Sequence, residues 1–294
     1  MNVKVIVNPA AGNGRAKDII PQIENFLYRK DVSFNIETTY RPGGGTLLAK
    51  RAIATGFELI IAVGGNGTVA EVVNGIIGSD AILGIIPAGT GNDIAKMLGI
   101  PENIEEACEI ALSPTKKKID LGLINSRYFI NGVGIGLDAQ IAKNVRGTNT
   151  YKRSFLKTLF TSKPININMN VDGVAISKPV TSMTISNSKS FWGDHIVSPD
   201  ALIDDGKLDI CMTDSVSRLK YFINFKKASK GEHSKVPFIT TMQGRKINLN
   251  IPKSSPIHVD GELFESEDQS YNIELWSQIL WVKSKPNTQD LTVN

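Results

Sequence analysis

The sequence predicts an α/β protein: a doubly wound parallel sheet in the N-terminal half and an antiparallel β domain after it. Two observations predict this. Over the first 122 residues, short β-branched runs alternate with stretches of helical periodicity, the pattern of parallel strands joined by helices. From about residue 124 the period changes: Ile165, Ile167, Met169 and Val171 alternate with Asn166, Asn168 and Asn170, as on a half-buried strand.

Taken in order, Val3 to Val7 reads as a strand, broken by Asn8-Pro9-Ala10-Ala11-Gly12-Asn13-Gly14. Ile19, Ile23, Phe26 and Leu27 recur at helical spacing; Phe34 to Thr39 is a strand, Arg41 to Gly45 a loop, and Leu47 to Ile53 a helix. Ile60 to Val63 is an apolar run that reads as a buried strand, followed by Gly64-Gly65-Asn66-Gly67. Thr68 fits a helix start, with Glu71 completing a capping-box pattern. Leu83 to Ile86 is another strand, ended by Pro87-Ala88-Gly89-Thr90-Gly91-Asn92-Asp93 before a helix from Ile94. Glycine-rich loops at the carboxyl ends of three parallel strands favour a nucleotide or polyphosphate site, because such loops and the helix starts behind them present N–H groups to an anion. A tight turn without a ligand is the alternative for any one of them. Neither a Walker A loop nor a dinucleotide Gly-x-Gly-x-x-Gly after the first strand is present.

In the second half, Asp172-Gly173 and Asp260-Gly261 are hairpin-turn dipeptides, and Lys207 to Thr213, Ile247 to Ile251, Tyr271 to Leu275 and Ile279 to Lys283 read as strands. The boundary is expected between residues 123 and 124, giving domains 1–123 and 124–294, with the C-terminal tail able to return to the first. Composition fits two water-soluble domains: 41% hydrophobic, with no apolar run near the roughly 18 residues of a spanning helix. The N-terminus enters a strand directly and lacks the pattern of a signal peptide. Cys108 and Cys211 show no redox or metal spacing, nor do His195, His233 and His258. A cytoplasmic location is the expectation.

Asn8-Pro9-x-x-Gly12, Gly64-Gly65-Asn66-Gly67-Thr68 with Glu71-Val72-Val73-Asn74-Gly75, and Ile86 to Asp93 resemble the diacylglycerol kinase catalytic family, nearest its soluble bacterial lipid kinases, which are similar to sphingosine and ceramide kinases. Lys118 to Gly122, Phe129 to Ala139, Ser198 to Asp209, Ser229 to His233 and Val259 to Glu262 continue the resemblance in order, over nearly the whole chain. It implies a β-sandwich second domain, an active site in the interdomain cleft, ATP as phosphoryl donor, Mg²⁺ and a lipid acceptor. It also implies roles. Glu262 is the general base, and Asp93 and Asp120 are catalytic, helping to hold Mg²⁺ and water. Asn8, Pro9, Gly12, Thr39, Gly65, Asn66, Gly67, Thr68, Glu71 and Thr90 bind nucleotide. Asp205, with the carbonyls of Leu202 and Lys207, holds a second, structural Mg²⁺.

Read from the residues alone, each has a plainer use: helix capping for Asp93, a loop hydrogen bond for Asp120, and an Asp-Gly turn without an ion for the Asp205 loop. Glu262 would be a hairpin residue, since Val171-Asp172-Gly173-Val174 has the same turn without a glutamate. One position departs from the family pattern: Asn66 stands where the family has Asp. An amide keeps the shape but not the charge, and so serves a magnesium ion poorly. Two further readings follow: a nucleotide- or lipid-binding protein with weak or no kinase activity, and an NAD kinase, which shares the Gly-Gly-Asp-Gly-Thr loop.

Charge is unevenly spread. Residues 139–171 contain no acid and six bases (Lys143, Arg146, Lys152, Arg153, Lys157, Lys163), and residues 215–231 no acid and five bases (Arg218, Lys220, Lys226, Lys227, Lys230), in a chain of net charge +4. Interleaved with Tyr151, Phe155, Leu156, Leu159, Phe160, Leu219, Tyr221, Phe222 and Phe225, they suit transient contact with an anionic membrane surface. A solvated basic face is the alternative. No nucleic-acid motif accompanies them, so no nucleic-acid partner is expected. Oligomeric state is left open, a homodimer included.

Overall fold

Four parallel strands organise the first of two compact units in the computed structural model, which describes residues 2–145, 158–191, 193, 195–253, 255–265 and 269–285. This unit comprises the chain up to Ile119 and the described residues from Gln278; the second runs Asp120–Ser277. In the first, β1 (Asn2–Val7), β2 (Ser33–Thr38), β3 (Leu59–Gly64) and β4 (Ile82–Pro87) pair in the order β4-β3-β1-β2, all parallel. β3 is buried at every residue, as its unbroken apolar run requires. The helices are α1 (Arg15–Asp18), α2 (Ile20–Arg29), α3 (Gly44–Ala54), α4 (Asn66–Ile76), α5 (Asp93–Met97) and α6 (Ile104–Leu112). α2 buries Ile23, Phe26 and Leu27 on one face, and Asn103 caps α6 by accepting the Glu106 N–H at 3.1 Å.

The capping box expected at Thr68 does not form. α4 begins two residues earlier, at Asn66, with Gly65 at its cap and no side-chain capping bond. Thr68 is buried, and Glu71 caps the neighbouring helix instead: its carboxylate accepts the N–H groups of Gly43 (2.8 Å) and Gly45 (2.7 Å). The carboxylate lies beside the positive end of α3, which stabilises both.

The second unit is built on antiparallel strands. They are β5 (Lys116–Ile124), β6 (Arg127–Phe129), β7 (Gly132–Gly136), β8 (Ile165–Val171), β9 (Val174–Ser186), β10 (Ser190–Phe191), β11 (His195–Ile196), β12 (Leu208–Asp214), β13 (Ile239–Gly244), β14 (Lys246–Asn250), β15 (Ile257–Val259), β16 (Glu262–Leu263) and the first part of β17 (Ser270–Lys283). β9 is the hub, pairing with β7, β8 and β12. Ile165, Ile167, Met169 and Val171 face the core, as their alternation predicts. The two strands expected at Tyr271–Leu275 and Ile279–Lys283 are one. Gln278, in the left-handed region (φ 50°), lies within β17 without ending it. Ser270 to Glu274 pair with β14, and Trp281 and Val282 pair in parallel with β4 of the first unit's sheet.

The second unit also carries α7 (Leu137–Val145) and α8 (Arg218–Ala228) among its described residues. Leu137, Ile141 and Leu159 form a small separate core, packed against Tyr221 and Phe225. Arg146, Tyr151, Lys152, Arg153, Phe155, Leu156 and Lys157 of the first basic window lie outside the described residues. Cys108 and Cys211 are free and buried, and burial pushes each thiol up to about 12, which leaves them unreactive. Among the described residues no helix is long and apolar enough to cross a membrane.

Candidate active site

The first unit gathers its predicted residues where parallel sheets bind ligands, beyond the carboxyl ends of the strands. Asn8, Pro9 and Gly12 follow β1, Thr39 follows β2, Gly65 to Thr68 follow β3, and Thr90 and Asp93 follow β4. The loops are locked to one another through backbone. Gly12 has φ +60°, and a Cβ there would stand 2.1 Å from the Ala88 carbonyl oxygen. A Cβ on Gly89 would stand 2.4 Å from the Gly65 Cα. These glycines are therefore needed for close approach of main chain to main chain, which shapes a shallow cradle around Gly65, the cap of α4. Within it the Ala88 N–H is donated to the Gly64 carbonyl at 2.9 Å and the Gly89 N–H to Asn92 Oδ1 at 3.0 Å. Asn8 donates from Nδ2 to Thr68 Oγ1 at 3.2 Å, tying the first loop to the third strand's helix. Thr39 is buried, with its N–H on the Val7 carbonyl at 2.8 Å; Thr90 is exposed.

Asn66 and Asp93 are brought into direct contact. The Asn66 Nδ2 donates to Asp93 Oδ2 at 2.6 Å, and the Asn66 Oδ1 faces the Ile94 N–H at 3.4 Å. Asp93 is buried, at the first residue of α5 behind the left-handed Asn92 (φ 56°). An amide thus stands at the oxygen where a second carboxylate would share a cation. A metal here would rest on the single Asp93 charge. Among the described residues, no three His, Cys, Asp or Glu side chains form a metal cluster.

In the second unit Asp120 is fully buried and meets the predicted metal loop. Its Oδ2 accepts the Gly206 N–H at 2.7 Å, and its own N–H donates to the Ile203 carbonyl at 2.8 Å. Asp205 Oδ1 accepts the Lys207 N–H at 3.0 Å. The loop carrying Leu202, Asp205 and Lys207 offers oxygen donors only, which suits a hard cation, with one carboxylate among the three.

Glu262 begins β16, just past the Asp260-Gly261 turn, and its Oε2 accepts from Arg127 at 2.7 Å; both side chains are partly exposed. The turn is fixed from beneath. The Asp260 carboxylate accepts the N–H groups of Ile130 (3.1 Å), Asn131 (2.9 Å) and Gly132 (2.9 Å). Burial pushes the Asp260 carboxyl above its ordinary value, with those N–H donors and Arg127 pulling it back. His258 supplies the second tie. Its Nδ1 accepts the Gly261 N–H at 3.2 Å, so Nε2 carries the proton and donates to Asp138 Oδ2 at 2.6 Å. Gly134 leaves room for this pair: a Cβ there would be 2.1 Å from both the Asp138 Oδ2 and the His258 Nε2. Sequence reading missed Arg127, Asp138 and the role of His258. Asp138 lies in the Phe129 to Ala139 stretch, but nothing local ties it to His258; the glycine at 134 is a trace of the pair, a buried strand position without a side chain.

A family model described as the diacylglycerol kinase catalytic domain matches residues 2–124, and one described as the YegS C-terminal NAD kinase beta sandwich-like domain matches residues 131–274. The chain is 30% identical over 268 residues to a diacylglycerol kinase of Staphylococcus haemolyticus (strain JCSC1435), covering 88% of this chain and 81% of that protein. It is 28% identical to a diacylglycerol kinase of Bacillus subtilis (strain 168), covering 88% and 89%. A crystal structure from Bacillus anthracis str. Sterne, provisionally named a diacylglycerol kinase, superposes with a TM-score of 0.81 at 27% identity, over 97% of each chain.

Proposed function

This chain belongs to the diacylglycerol kinase family, and from that premise we propose that it transfers the γ-phosphoryl group of ATP to the hydroxyl of diacylglycerol or a related lipid at an anionic membrane surface. The observation that carries the nucleotide half is the glycine cradle: Gly12 against Ala88 and Gly65 against Gly89, with no space for a Cβ at the contacts. The N–H groups at the start of α4, behind Gly65, would hold phosphate oxygens, since those of Ala88 and Gly89 are donated to the Gly64 carbonyl and to Asn92 Oδ1; Asn8, Thr39, Thr68 and Thr90 would stand around them. Glu262 takes the proton from the acceptor hydroxyl. That oxygen then bonds to the γ-phosphorus as the bond to the β–γ bridging oxygen breaks, and ADP leaves with the electron pair. Arg127 holds the Glu262 carboxylate in one orientation between turnovers. Mg²⁺, when bound, neutralises phosphate charge; Asp93 would hold it near the nucleotide, and Leu202, Asp205 and Lys207 would hold a second ion, beside Asp120.

The Asn66–Asp93 bond favours low turnover with nucleotide binding retained, because the backbone cradle does not depend on the charge at position 66. The test is transfer from labelled ATP to a panel of lipids, with calorimetric ATP binding, for this chain and Asn66→Asp. We expect diacylglycerol to be phosphorylated, and Asn66→Asp to raise turnover at least tenfold while ATP affinity changes less than threefold. No transfer to any lipid by either protein overturns the lipid kinase reading; loss of ATP binding in both overturns the cradle.

A further inference from the structure

α8 carries two apolar stripes. Tyr221 and Phe225, stacked at a ring distance of 6.3 Å, face inward against Leu137, Ile141 and Leu159. The opposite stripe is Leu219, Phe222 and Ile223, which are 68%, 48% and 65% exposed. With Lys226 they stand at positions i, i+3, i+4 and i+7, a continuous line along the outer face. A helix at a protein surface ordinarily turns a polar face outward; one that is apolar on both sides has something further to bury. The cavity under α8 does not provide it. That space is about 90 Å³, well below the roughly 300–1,000 Å³ of a small-molecule pocket.

From this we infer that the outer face of α8 is the element that enters the headgroup region of an anionic lipid bilayer, with Leu219, Phe222 and Ile223 as the inserted side chains. The inference rests on the lipid-acceptor reading above. Charge selects this occupant over a second copy of the chain. Arg218, Lys220, Lys226 and Lys227 lie on the helix and Lys230 just beyond it, with no acid from residue 215 to 231. Two copies docked face to face through α8 would oppose these cations to one another. An anionic bilayer accepts the apolar stripe and the cations together. Both ends of the helix are tied to the fold: Ser217 caps its start by accepting the Lys220 N–H, and His233 Nε2 bonds the Ala228 carbonyl at 3.0 Å at its end. The exposed stripe is therefore held in place.

The experiment is cosedimentation of the full chain with vesicles of phosphatidylcholine and phosphatidylglycerol at 7:3, and of phosphatidylcholine alone. Leu219→Ser/Phe222→Ser/Ile223→Ser should weaken binding to the anionic vesicles at least tenfold at every salt concentration. Val174→Ser, at an equally exposed apolar residue elsewhere in the unit, should leave it unchanged. Lys226→Glu/Lys227→Glu keeps the apolar stripe and should remove the preference for anionic vesicles, which tests the proposal even if the triple variant does not fold. Transfer to a short-chain diacylglycerol in detergent micelles separates the two readings: vesicle binding that depends on α8 in a chain without transfer to any lipid leaves this inference standing and removes the kinase. Triple-variant binding equal to the parent's overturns the inference. So does a parent dimer, seen by sedimentation velocity, that the triple variant dissolves while vesicle binding is unchanged.

Discussion

The second unit contains the same turn twice, and the two copies differ in what they are packed against. Val171-Asp172-Gly173 and Val259-Asp260-Gly261 both put Asp and Gly in the left-handed region, with φ of 49° and 96° in one and 50° and 84° in the other. In both, the glycine N–H donates to the side chain three residues back, Asn170 Oδ1 at 2.9 Å or His258 Nδ1 at 3.2 Å. In both, the aspartate carboxylate accepts N–H groups from a distant segment that leads into a strand: Arg245 and Lys246 for Asp172, Ile130 to Gly132 for Asp260. The differences lie outside the turn. Asp172 is exposed and is followed by exposed Val174; Asp260 is buried and is followed by Glu262, held by Arg127. His258 has a second ring nitrogen, which reaches on to Asp138. Local sequence makes the hairpin, and distant residues set what surrounds it.

The sharpest way to break the comparison is to remove the one residue that has no counterpart. Glu262→Gln keeps shape and size but cannot take a proton, so phosphoryl transfer should fall by about 10²–10⁴, with ATP affinity and the urea midpoint near the parent's. The matched change Val174→Gln should leave turnover alone. Equal turnover in Glu262→Gln and the parent would return Glu262 to the status of a hairpin residue.

Removing the aspartates should separate the hairpins by stability. Asp260→Ala leaves three buried N–H groups without acceptors, and at about 1–3 kcal/mol for a buried unsatisfied group the loss should exceed about 3 kcal/mol. Asp172→Ala exposes its two N–H groups to water and should cost about 1 kcal/mol or less. Urea unfolding followed by circular dichroism measures both; similar losses would mean that the turn, not its burial, sets the cost.

The contrast also shows what was legible in the sequence. Gly12, Gly65 and Gly89 could be found because a residue without a side chain is itself the signal for close backbone approach, and both Asp-Gly turns because two adjacent residues determine them. The alternation on β8 and the buried run on β3 are likewise local. Arg127 and Glu262 are 135 residues apart, and Asp138 and His258 are 120. Nothing within either neighbourhood encodes the partner. Glu71 was misread for the same reason: the spacing to Thr68 matched a capping box, while the N–H groups it satisfies are at the start of α3, 26 to 28 residues earlier. A chemically correct prediction, that Glu71 caps a helix, was attached to the wrong helix.

The third test moves Asn170's device into the other hairpin. His258→Asn can still accept the Gly261 N–H but cannot reach Asp138, so it divides the two bonds that His258 makes. If the link to Asp138 positions the Glu262 hairpin, kcat should fall about tenfold, equivalent to about 1.4 kcal/mol, with ATP KM unchanged. His258→Ala, which loses both bonds, should fall further. A kcat equal to the parent's in His258→Asn would limit the histidine to holding the turn.

The smallest effect concerns the proton on Asp260. Its carboxyl is pushed above the ordinary value first by burial, against the pull of three backbone N–H donors and Arg127. A carboxyl raised in the folded chain binds more protons folded than unfolded over the interval between its ordinary and its folded value. The unfolding free energy contributed by this group is then fully present below the ordinary value and is lost as pH rises through the folded one. Other carboxylates titrate over the same range, so the quantity to follow is a difference. Asp260→Asn keeps an acceptor for Asn131 and Gly132, places its amide opposite the Ile130 N–H, and cannot titrate. Parent stability minus Asp260→Asn stability, measured by urea unfolding from pH 3 to pH 7, should decline with rising pH and then level off. Each tenfold of proton affinity accounts for about 1.4 kcal/mol. A rise with pH would mean that the N–H donors outweigh burial and hold the carboxylate ionised. In that case the buried turn would be an anion seat held by backbone dipoles, and its difference from the exposed turn at Asp172 would be one of dielectric and not of proton occupancy.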